Sequence, residues 1–193
     1  MGRSGDGRAA PFLTFHPFES SYMTPDLILI RPAAQTDLAP LHALVQRAYR
    51  GDAARAGWTH EADLVEGQRI EPDALAAILN HGNERLLVAE RDGQLIGCVQ
   101  ITDRGDGVGY LGLLGVDPEQ QAGGLGRRLI AAAEREAATQ FGARTMEMSV
   151  IEPRKELIAY YERRGYARTG VFLPFPVPTT PPLRLTVLAK PLD

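Results

Sequence analysis

The chain changes at residue 27 from an irregular composition to a regular pattern of hydrophobic positions. Residues 1–26 combine Gly, Ser, Pro and scattered aromatic side chains without helical or strand spacing, and we predict a poorly ordered extension there. An apolar run at residues 27–31 is typical of a β-strand. Because regular patterns continue to the C-terminal end, we predict a single domain over residues 27–193.

Two amphipathic helices are predicted after this strand. In the first, Thr36 and Asp37 are residue types that cap helix N-termini, apolar residues recur three or four positions apart, and the pattern ends near Gly51. The second begins at Pro72, which suits a first helical turn, and ends at residues 80–82, Asn-His-Gly. A polar stretch that contains the only tryptophan of the chain separates them.

Three consecutive strands are predicted in the middle of the chain. Residues 84–90 and 94–102 are rich in apolar side chains, and they are joined by Asp92 and Gly93, the residue pair most typical of a tight β-hairpin. Residues 109–116 follow as a third strand. Because hairpins join antiparallel strands, we expect an antiparallel group here.

The last third of the chain alternates helices with strands. A helix is predicted from Leu125, because apolar residues lie four apart from there to Phe141, and Gly142 ends it. The other elements predicted are a strand at 145–151, a helix at 154–164 and strands at 167–172 and 183–188. Five prolines at residues 173–182 favour an extended loop before the last strand. This order of elements indicates the α/β (α+β) class.

The composition argues against several classes of function. The 193 residues carry a net charge of −3 and contain no basic block suited to nucleic acid. Cys98 is the only cysteine, and four histidines show no zinc-site spacing, so we expect no internal disulfide and no metal. No apolar run approaches the roughly 20 residues of a membrane span. We therefore expect a cytoplasmic protein without membrane or nucleic-acid partners.

A glycine-rich turn joins the third central strand to the helix that follows. Gly123, Gly124 and Gly126 allow close approach of the backbone to a ligand, and the free N–H groups of the first helical turn favour an anion such as pyrophosphate. Arg127 stands where a P-loop has lysine, which argues against a nucleoside triphosphatase. A dinucleotide site requires an acidic residue about 20 positions further on, where this chain has Arg144.

Two segments together resemble a known family. Residues 121–126, QAGGLG, resemble the Q/R-x-x-G-x-G/A signature of the GNAT superfamily of acyl-CoA N-acyltransferases, and a strand precedes them as it does there. Residues 159–166, AYYERRGY, are similar to the A-x-x-Y-E-K-x-G-F/Y segment of the helix after the family's fifth strand. Since both motifs occur in the family's order and context, the chain is identified as a member.

The resemblance implies a GNAT fold, with a central mixed, mostly antiparallel sheet of about six to seven strands flanked by about four helices. It also implies acetyl-CoA as cosubstrate, with coenzyme A held by the strand before the turn and by the N–H groups of the turn. The corresponding residues are Leu114, Val116, Gln121, Ala122, Gly123, Gly124, Leu125, Gly126, Arg127 and Arg128. Arg154 and Lys155, which begin the last predicted helix, are expected on a solvated face, with contact to the outer phosphates of the ligand as the alternative.

The resemblance assigns one catalytic role and leaves another open. Tyr161 matches the family's tyrosine near the thioester sulfur and is our candidate acid for the leaving thiolate, with core packing as the alternative role. Tyr160 is adjacent and fits the motif less well. Residues 110–115 lack the strand glutamate that many members use as a base. A water relay or one of Glu147, Ser149, His60 and Glu61 is expected to replace it, although a solvent-facing strand position is the simpler interpretation of Glu147 and a loop histidine that of His60.

The acceptor is the least determined part of the prediction. Trp58 and Glu61 are candidates to stack on and pair with an amine, and Ser149 is a third candidate contact; Trp58 packing its loop onto the core is the alternative. We expect acetyl transfer from acetyl-CoA to a primary amine of a small molecule or protein, by direct attack on the thioester. The alternatives are a non-catalytic acyl-CoA sensor and a longer acyl donor. Monomer and homodimer both stay open.

Overall fold

A seven-stranded sheet forms the centre of the structure, a computed structural model that describes residues 1–2, 27–58, 61, 63–65 and 67–192. Its strands are β1 (Leu29–Pro32), β2 (Glu84–Arg91), β3 (Gln94–Asp103), β4 (Val108–Val116), β5 (Thr145–Ile151), β6 (Ala167–Pro174) and β7 (Arg184–Pro191). The α-helices are α1 (Leu38–Tyr49), α2 (Gly51–Ala56), α3 (Pro72–Asn80), α4 (Leu125–Phe141) and α5 (Lys155–Glu162). The extension predicted at residues 1–26 lies outside the described residues except for its first two, and so does His60.

The sheet is mixed and mostly antiparallel, as predicted. The strand order is β1-β2-β3-β4-β5-β7-β6, and β4 with β5 is the one parallel pair among the strands described. Asp92 and Gly93 have φ angles of 50° and 76°, the left-handed conformations that a two-residue type I′ turn requires. The predicted hairpin between β2 and β3 is therefore present.

Each face of the sheet carries its own hydrophobic core. Strand β2 shows the separation, because Leu87 and Ala89 belong to the core under α4 whereas Leu86 and Val88 belong to the core under α1 and α3. The predicted apolar stripe of α4 is buried in the first core; it consists of Leu125, Leu129, Ala133 and Ala137. The second core takes its helical side chains from Leu41, Leu44, Val45, Leu75 and Ile78. Burial of each large apolar side chain stabilises the fold by about 1.5–3 kcal/mol.

The structure adds two details to the predicted helices. The polar stretch after α1 contains a short additional helix, α2, so there are five α-helices where about four were expected. Asp37 precedes α1 but its carboxylate does not cap that helix. It accepts hydrogen bonds instead from the Ala34 N–H at 2.7 Å and from the Arg31 guanidinium at 2.7 and 3.0 Å. The Asp37 side chain therefore connects the start of α1 to Arg31 of β1 and does not cap the helix.

This contact predicts a pH-dependent loss of stability in Asp37→Asn. The Arg31 guanidinium holds the pKa of Asp37 below its ordinary value, so the stabilisation is complete above the pKa of the unfolded state, about 4, and is lost as the pH falls through the lowered native value. We expect Asp37→Asn to lower the free energy of unfolding by about 2 kcal/mol at pH 7, since charge-assisted hydrogen bonds contribute about 1.5–3 kcal/mol.

Urea denaturation between pH 7 and pH 3 measures this difference. The gap between the wild-type protein and Asp37→Asn should narrow below about pH 4. Asp73→Asn, which alters an exposed carboxylate on α3, is the matched control and should cost less than about 1 kcal/mol. A difference in the free energy of unfolding between the two proteins that stays constant over the whole pH range would contradict the role given to Asp37.

Candidate active site in the cleft between β4 and β5

Strands β4 and β5 separate after a short parallel contact, and a deep cleft lies between them. Residues 108–110 of β4 pair with residues 145–147 of β5, and the pairing stops there. The cleft has a volume of about 990 Å³, and residues 111–116 and 148–151 form its two long walls. Strand β5 keeps β7 as its other neighbour to its end. One edge of β4 therefore presents backbone N–H and C=O groups to an extended ligand.

A bulge in β4 accounts for the divergence. Leu113 has a φ of 44°, and the register between β3 and β4 shifts between Cys98 and Gln100. Bulges bend a strand and increase its twist, which turns the end of β4 away from β5. The Tyr49 hydroxyl of α1 donates a 2.6 Å hydrogen bond to the Leu114 carbonyl next to the bulge. Burial raises the pKa of Tyr49 above its ordinary value, so this hydroxyl stays a donor.

The glycine-rich turn places the N-terminus of α4 at one end of the cleft. Gly124 is the residue before the helix and has a φ of 75°, a conformation in which glycine has no steric cost. The Arg128 N–H donates to the Gly124 carbonyl at 3.2 Å, so the three intervening N–H groups have no acceptor within the helix. A Cβ at Gly126 would lie 3.0 Å from the Tyr160 hydroxyl. The helix end can therefore receive an anion at close range.

Gln121 connects this turn to the loop after α2. Its side-chain oxygen accepts a 2.6 Å hydrogen bond from the Trp58 N–H, and its amide nitrogen lies 3.4 Å from the Val116 carbonyl. The Trp58 ring is half exposed and lies 5.2 Å, centroid to centroid, from the ring of Tyr160. Trp58 thus forms part of the cleft wall and is not a core residue. The Gln121 side chain links the glycine-rich turn to Trp58 and lies close to the Val116 carbonyl of β4.

Tyr160 and Tyr161 both line the cleft, but their surroundings differ. Tyr160 carries the Arg164 guanidinium 3.3 Å above its ring centroid. Tyr161 is 5% exposed, and its ring packs edge-on against Tyr160 and Tyr166 at 5.4 and 6.0 Å. Among the residues that the structure describes, the Tyr161 hydroxyl has no hydrogen-bond partner. Burial raises its pKa above the ordinary value, so the group is protonated at neutral pH.

Glu61 lies in a cluster of arginines on another part of the wall. Its two carboxylate oxygens are each 3.1 Å from a guanidinium nitrogen, one of Arg50 and one of Arg154. A third guanidinium, that of Arg69, approaches to 3.8 Å, which is too long for a hydrogen bond. The predicted pairing of Glu61 with a substrate amine would therefore compete with two arginines already in contact.

The predicted residues on β5 lie in two different environments. The Ser149 hydroxyl is 2.5 Å from the Tyr110 hydroxyl of β4, and both residues line the cleft. Glu147 does not line it, and its carboxylate lies 3.5 Å from Arg104. The geometry thus brings Ser149 to the site and leaves Glu147 in a surface ion pair.

Most of the residues predicted from sequence share this cleft. Those that line it are Trp58, Glu61, Leu114, Val116, Gln121, Ala122, Gly124, Leu125, Gly126, Ser149 and Tyr161. Gly123, Arg127 and Arg128 belong to the same turn and helix end but do not line it, and Arg128 donates to the Ile28 carbonyl at 2.9 Å. The binding and catalytic roles of all these residues stay predictions.

Sequence reasoning missed several residues of the cleft. Tyr49 occupies a helical position that is typical of ordinary core packing. Arg69 lies in a polar stretch without periodicity. The expectation that Arg154 faces solvent was wrong, because its side chain is 12% exposed and contacts Glu61. An arginine placed directly before a helix was the available signal, and it did not distinguish a buried ion pair from a solvated one.

Three expectations drawn from the composition can be examined in the described part of the chain. No group of three or more His, Cys, Asp or Glu side chains there could hold a metal ion. No helix there has the length and apolar character needed to cross a bilayer. The Cys98 thiol of β3 is buried in the core under α1 and α3, and burial raises its pKa to about 12.

Comparisons with known proteins agree with the fold. Residues 42–166 match a protein family described as the acetyltransferase (GNAT) family. An IAA acetyltransferase of Azospirillum brasilense is 37% identical over 129 residues, which are 66% of this chain and 75% of that protein. A mycothiol acetyltransferase of Salinispora tropica is 34% identical over 142 residues, which are 72% of this chain but 43% of that protein. The chain therefore spans less than half of this second relative.

A solved structure shows the same fold at low sequence identity. The ribosomal-protein-S18-alanine N-acetyltransferase from Escherichia coli superposes with a TM-score of 0.67 at 20% identity, over 86% of this chain and 95% of that one. An N-acetyltransferase from Staphylococcus aureus gives a TM-score of 0.66 at 18% identity, over 86% and 99% of the two chains. At these identities the likeness concerns the architecture.

Proposed function

The chain belongs to the GNAT family of acetyltransferases, and on that premise we propose that it moves an acetyl group from acetyl-CoA to a primary amine. One observation carries the proposal: an unpaired edge of β4 leads directly to the free N-terminus of α4. An extended ligand with an anionic end matches this arrangement, because the strand edge supplies backbone hydrogen bonds and the helix end favours negative charge.

The donor would lie along β4 with its pyrophosphate at the glycine-rich turn. Leu114 and Val116 contribute the strand edge, and the backbone of Gly124 and Gly126 allows close approach to the phosphates. The Leu114 carbonyl already accepts from Tyr49 but keeps a second lone pair for a ligand donor. The family uses acetyl-CoA as cosubstrate, and this part of the cleft fits its shape and charge.

The proposed reaction is direct attack of the amine nitrogen on the thioester carbon. A C–N bond forms, the C–S bond breaks, and the leaving sulfur takes a proton from the Tyr161 hydroxyl. The nitrogen carries an extra proton once the C–N bond has formed; it releases that proton to water, and water returns a proton to Tyr161. The raised pKa of Tyr161 suits a group that must hold its proton until the sulfur becomes basic. The ammonium loses its proton to water beside Tyr110 and Ser149, whose hydroxyls are the polar groups of this part of the wall.

The acceptor has to be identified by experiment, because the two relatives are both named as acetyltransferases but their names differ in the compound. We expect acetyl-CoA to release free coenzyme A in the presence of amines, in a screen that covers amino acids, polyamines, aminoglycosides and peptides. A thiol reagent can follow the release, since Cys98 is the only cysteine and its buried, high-pKa thiol reacts slowly. Binding of acetyl-CoA without release for any amine would favour the sensor alternative.

A further inference from the structure

Arg69 is a polar group of the cleft that the proposed chemistry does not use. Its guanidinium lines the wall, and its side chain is 34% exposed. Among the described residues its guanidinium makes no hydrogen bond; the buried Nε is the atom that faces Glu61, and the Arg69 backbone N–H donates to the Gln46 side-chain oxygen at 3.2 Å. The two Nη groups of Arg69 are not fully buried, so they are the donors that a ligand acceptor in the cleft can reach.

Glu61 does not satisfy this arginine. Both of its oxygens are engaged at 3.1 Å by Arg50 and Arg154, and Arg69 is left at 3.8 Å from the nearer oxygen. The two closer ion pairs offset the charge of Glu61. Arg69 consequently presents positive charge and open donors to the cleft.

The surroundings of Arg69 set its orientation. The guanidinium stacks over the ring of Tyr49, with 4.9 Å from its central carbon to the ring centroid. Tyr49 in turn holds the Leu114 carbonyl beside the β4 bulge. Stacking restricts the guanidinium plane, and a planar arginine binds a carboxylate through two parallel hydrogen bonds. One tyrosine ring therefore separates the open donors from the strand edge where the thioester is proposed to lie.

The phosphates of the donor are a poor match for this group. Tyr49 and Ile70, which flank Arg69, pack with the core under α1 and α3, whereas Leu125 at the start of α4 belongs to the core on the opposite face of the sheet. The proposed pyrophosphate site and Arg69 thus belong to opposite faces of the sheet. Arg69 faces the space left for the acceptor.

We propose that Arg69 binds a carboxylate of the acceptor, and that the acceptor is a small amino acid whose amine and carboxylate lie a few bonds apart. This inference rests on the proposed function and names the substrate class of the same site. The short separation between Arg69 and Leu114 through Tyr49 favours a small molecule over a protein lysine. Trp58 and Phe175 add apolar wall, which suits an aromatic or aliphatic amino acid.

Matched acceptors test the inference directly. Phenylalanine and phenylalaninamide, with glycine and glycinamide as a second pair, differ in the carboxylate and keep the amine. We expect kcat/KM to be at least about tenfold higher for the acids with the wild-type protein, and the ratio to fall to about one in Arg69→Gln. Amidation makes the amine less basic and so increases its free fraction at pH 7, which opposes the expected preference.

The control is Arg168→Gln, an exposed arginine of β6 that pairs with Glu162 and should keep the acid preference. The inference is overturned by equal rates for acid and amide in the wild-type protein, or by an acid preference that persists in Arg69→Gln. An increased KM for acetyl-CoA with an unchanged acid-to-amide ratio would assign Arg69 to the donor and overturn it as well.

A binding measurement decides the question even without turnover. N-acetylphenylalanine and N-acetylphenylalaninamide resemble the product pair and need no reaction, so calorimetry in the presence of coenzyme A can compare them. We expect tighter binding of the acid by the wild-type protein and no difference for Arg69→Gln. Equal affinities in the wild-type protein would refute the subsite, whereas absent turnover with this preference intact would refute the proposed acetyl transfer alone.

Discussion

Tyr161→Phe should lower kcat by about 10²–10⁴-fold while leaving the affinity for acetyl-CoA within about twofold of the wild-type value. The expected loss is the usual contribution of a positioned general acid. The substitution removes one hydroxyl and keeps the ring that packs against Tyr160 and Tyr166, so the core around it should be undisturbed. Steady-state kinetics with a responsive amine, together with calorimetric binding of acetyl-CoA, measures the two quantities separately.

Tyr160→Phe is the matched control, since it removes the neighbouring hydroxyl in the same wall of the cleft. It should change kcat by less than about tenfold, because a general acid has to reach the sulfur and Tyr160 fits the family motif less well. A large loss for Tyr160→Phe with an active Tyr161→Phe would transfer the acid to Tyr160. The pH dependence adds a check: the raised pKa of Tyr161 predicts no alkaline loss of rate from this group below about pH 10.

Local patterns account for the parts of the fold that the sequence predicted well. The α4 stripe could be identified because its apolar residues lie on one helical face, and the β2–β3 turn because Asp92 and Gly93 suit left-handed angles. The divergence of β4 from β5 after their short parallel contact could not be found in this way. It depends on a bulge at Leu113, and leucine carries no signal for a φ of 44°.

The residues of the candidate site were likewise predicted where they form a local sequence pattern and missed where they are brought together by the fold. The residues of the glycine-rich turn are consecutive in the chain, so a motif of six positions describes them. Arg69, Tyr49 and Leu114 are distant in sequence and meet only because α1 packs beside the β4 bulge. Glu61 illustrates the consequence: its type suggested a partner for an amine, and its neighbours show a carboxylate already held by Arg50 and Arg154.

Gly124→Asp should weaken acetyl-CoA binding by at least about 100-fold. A non-glycine residue at a φ of 75° adds about 1–2 kcal/mol of backbone strain, although aspartate tolerates this region better than most residues. The larger effect is electrostatic, because a carboxylate at the end of α4 would occupy the anion site and repel a pyrophosphate. Calorimetry, or the increase in melting temperature on adding acetyl-CoA, measures the loss.

Gly124→Asn separates the charge from the backbone, since asparagine has nearly the same shape and also adopts left-handed angles. It should keep most of the binding that Gly124→Asp loses. The protein itself has room for either side chain, because a Cβ at this position would meet nothing closer than the Arg127 Nη2 at 3.8 Å. Both variants should therefore fold, and equal losses in the two would mean that space rather than charge governs the turn. Normal acetyl-CoA binding by Gly124→Asp would remove the pyrophosphate from this helix end, and with it the orientation of the donor along β4.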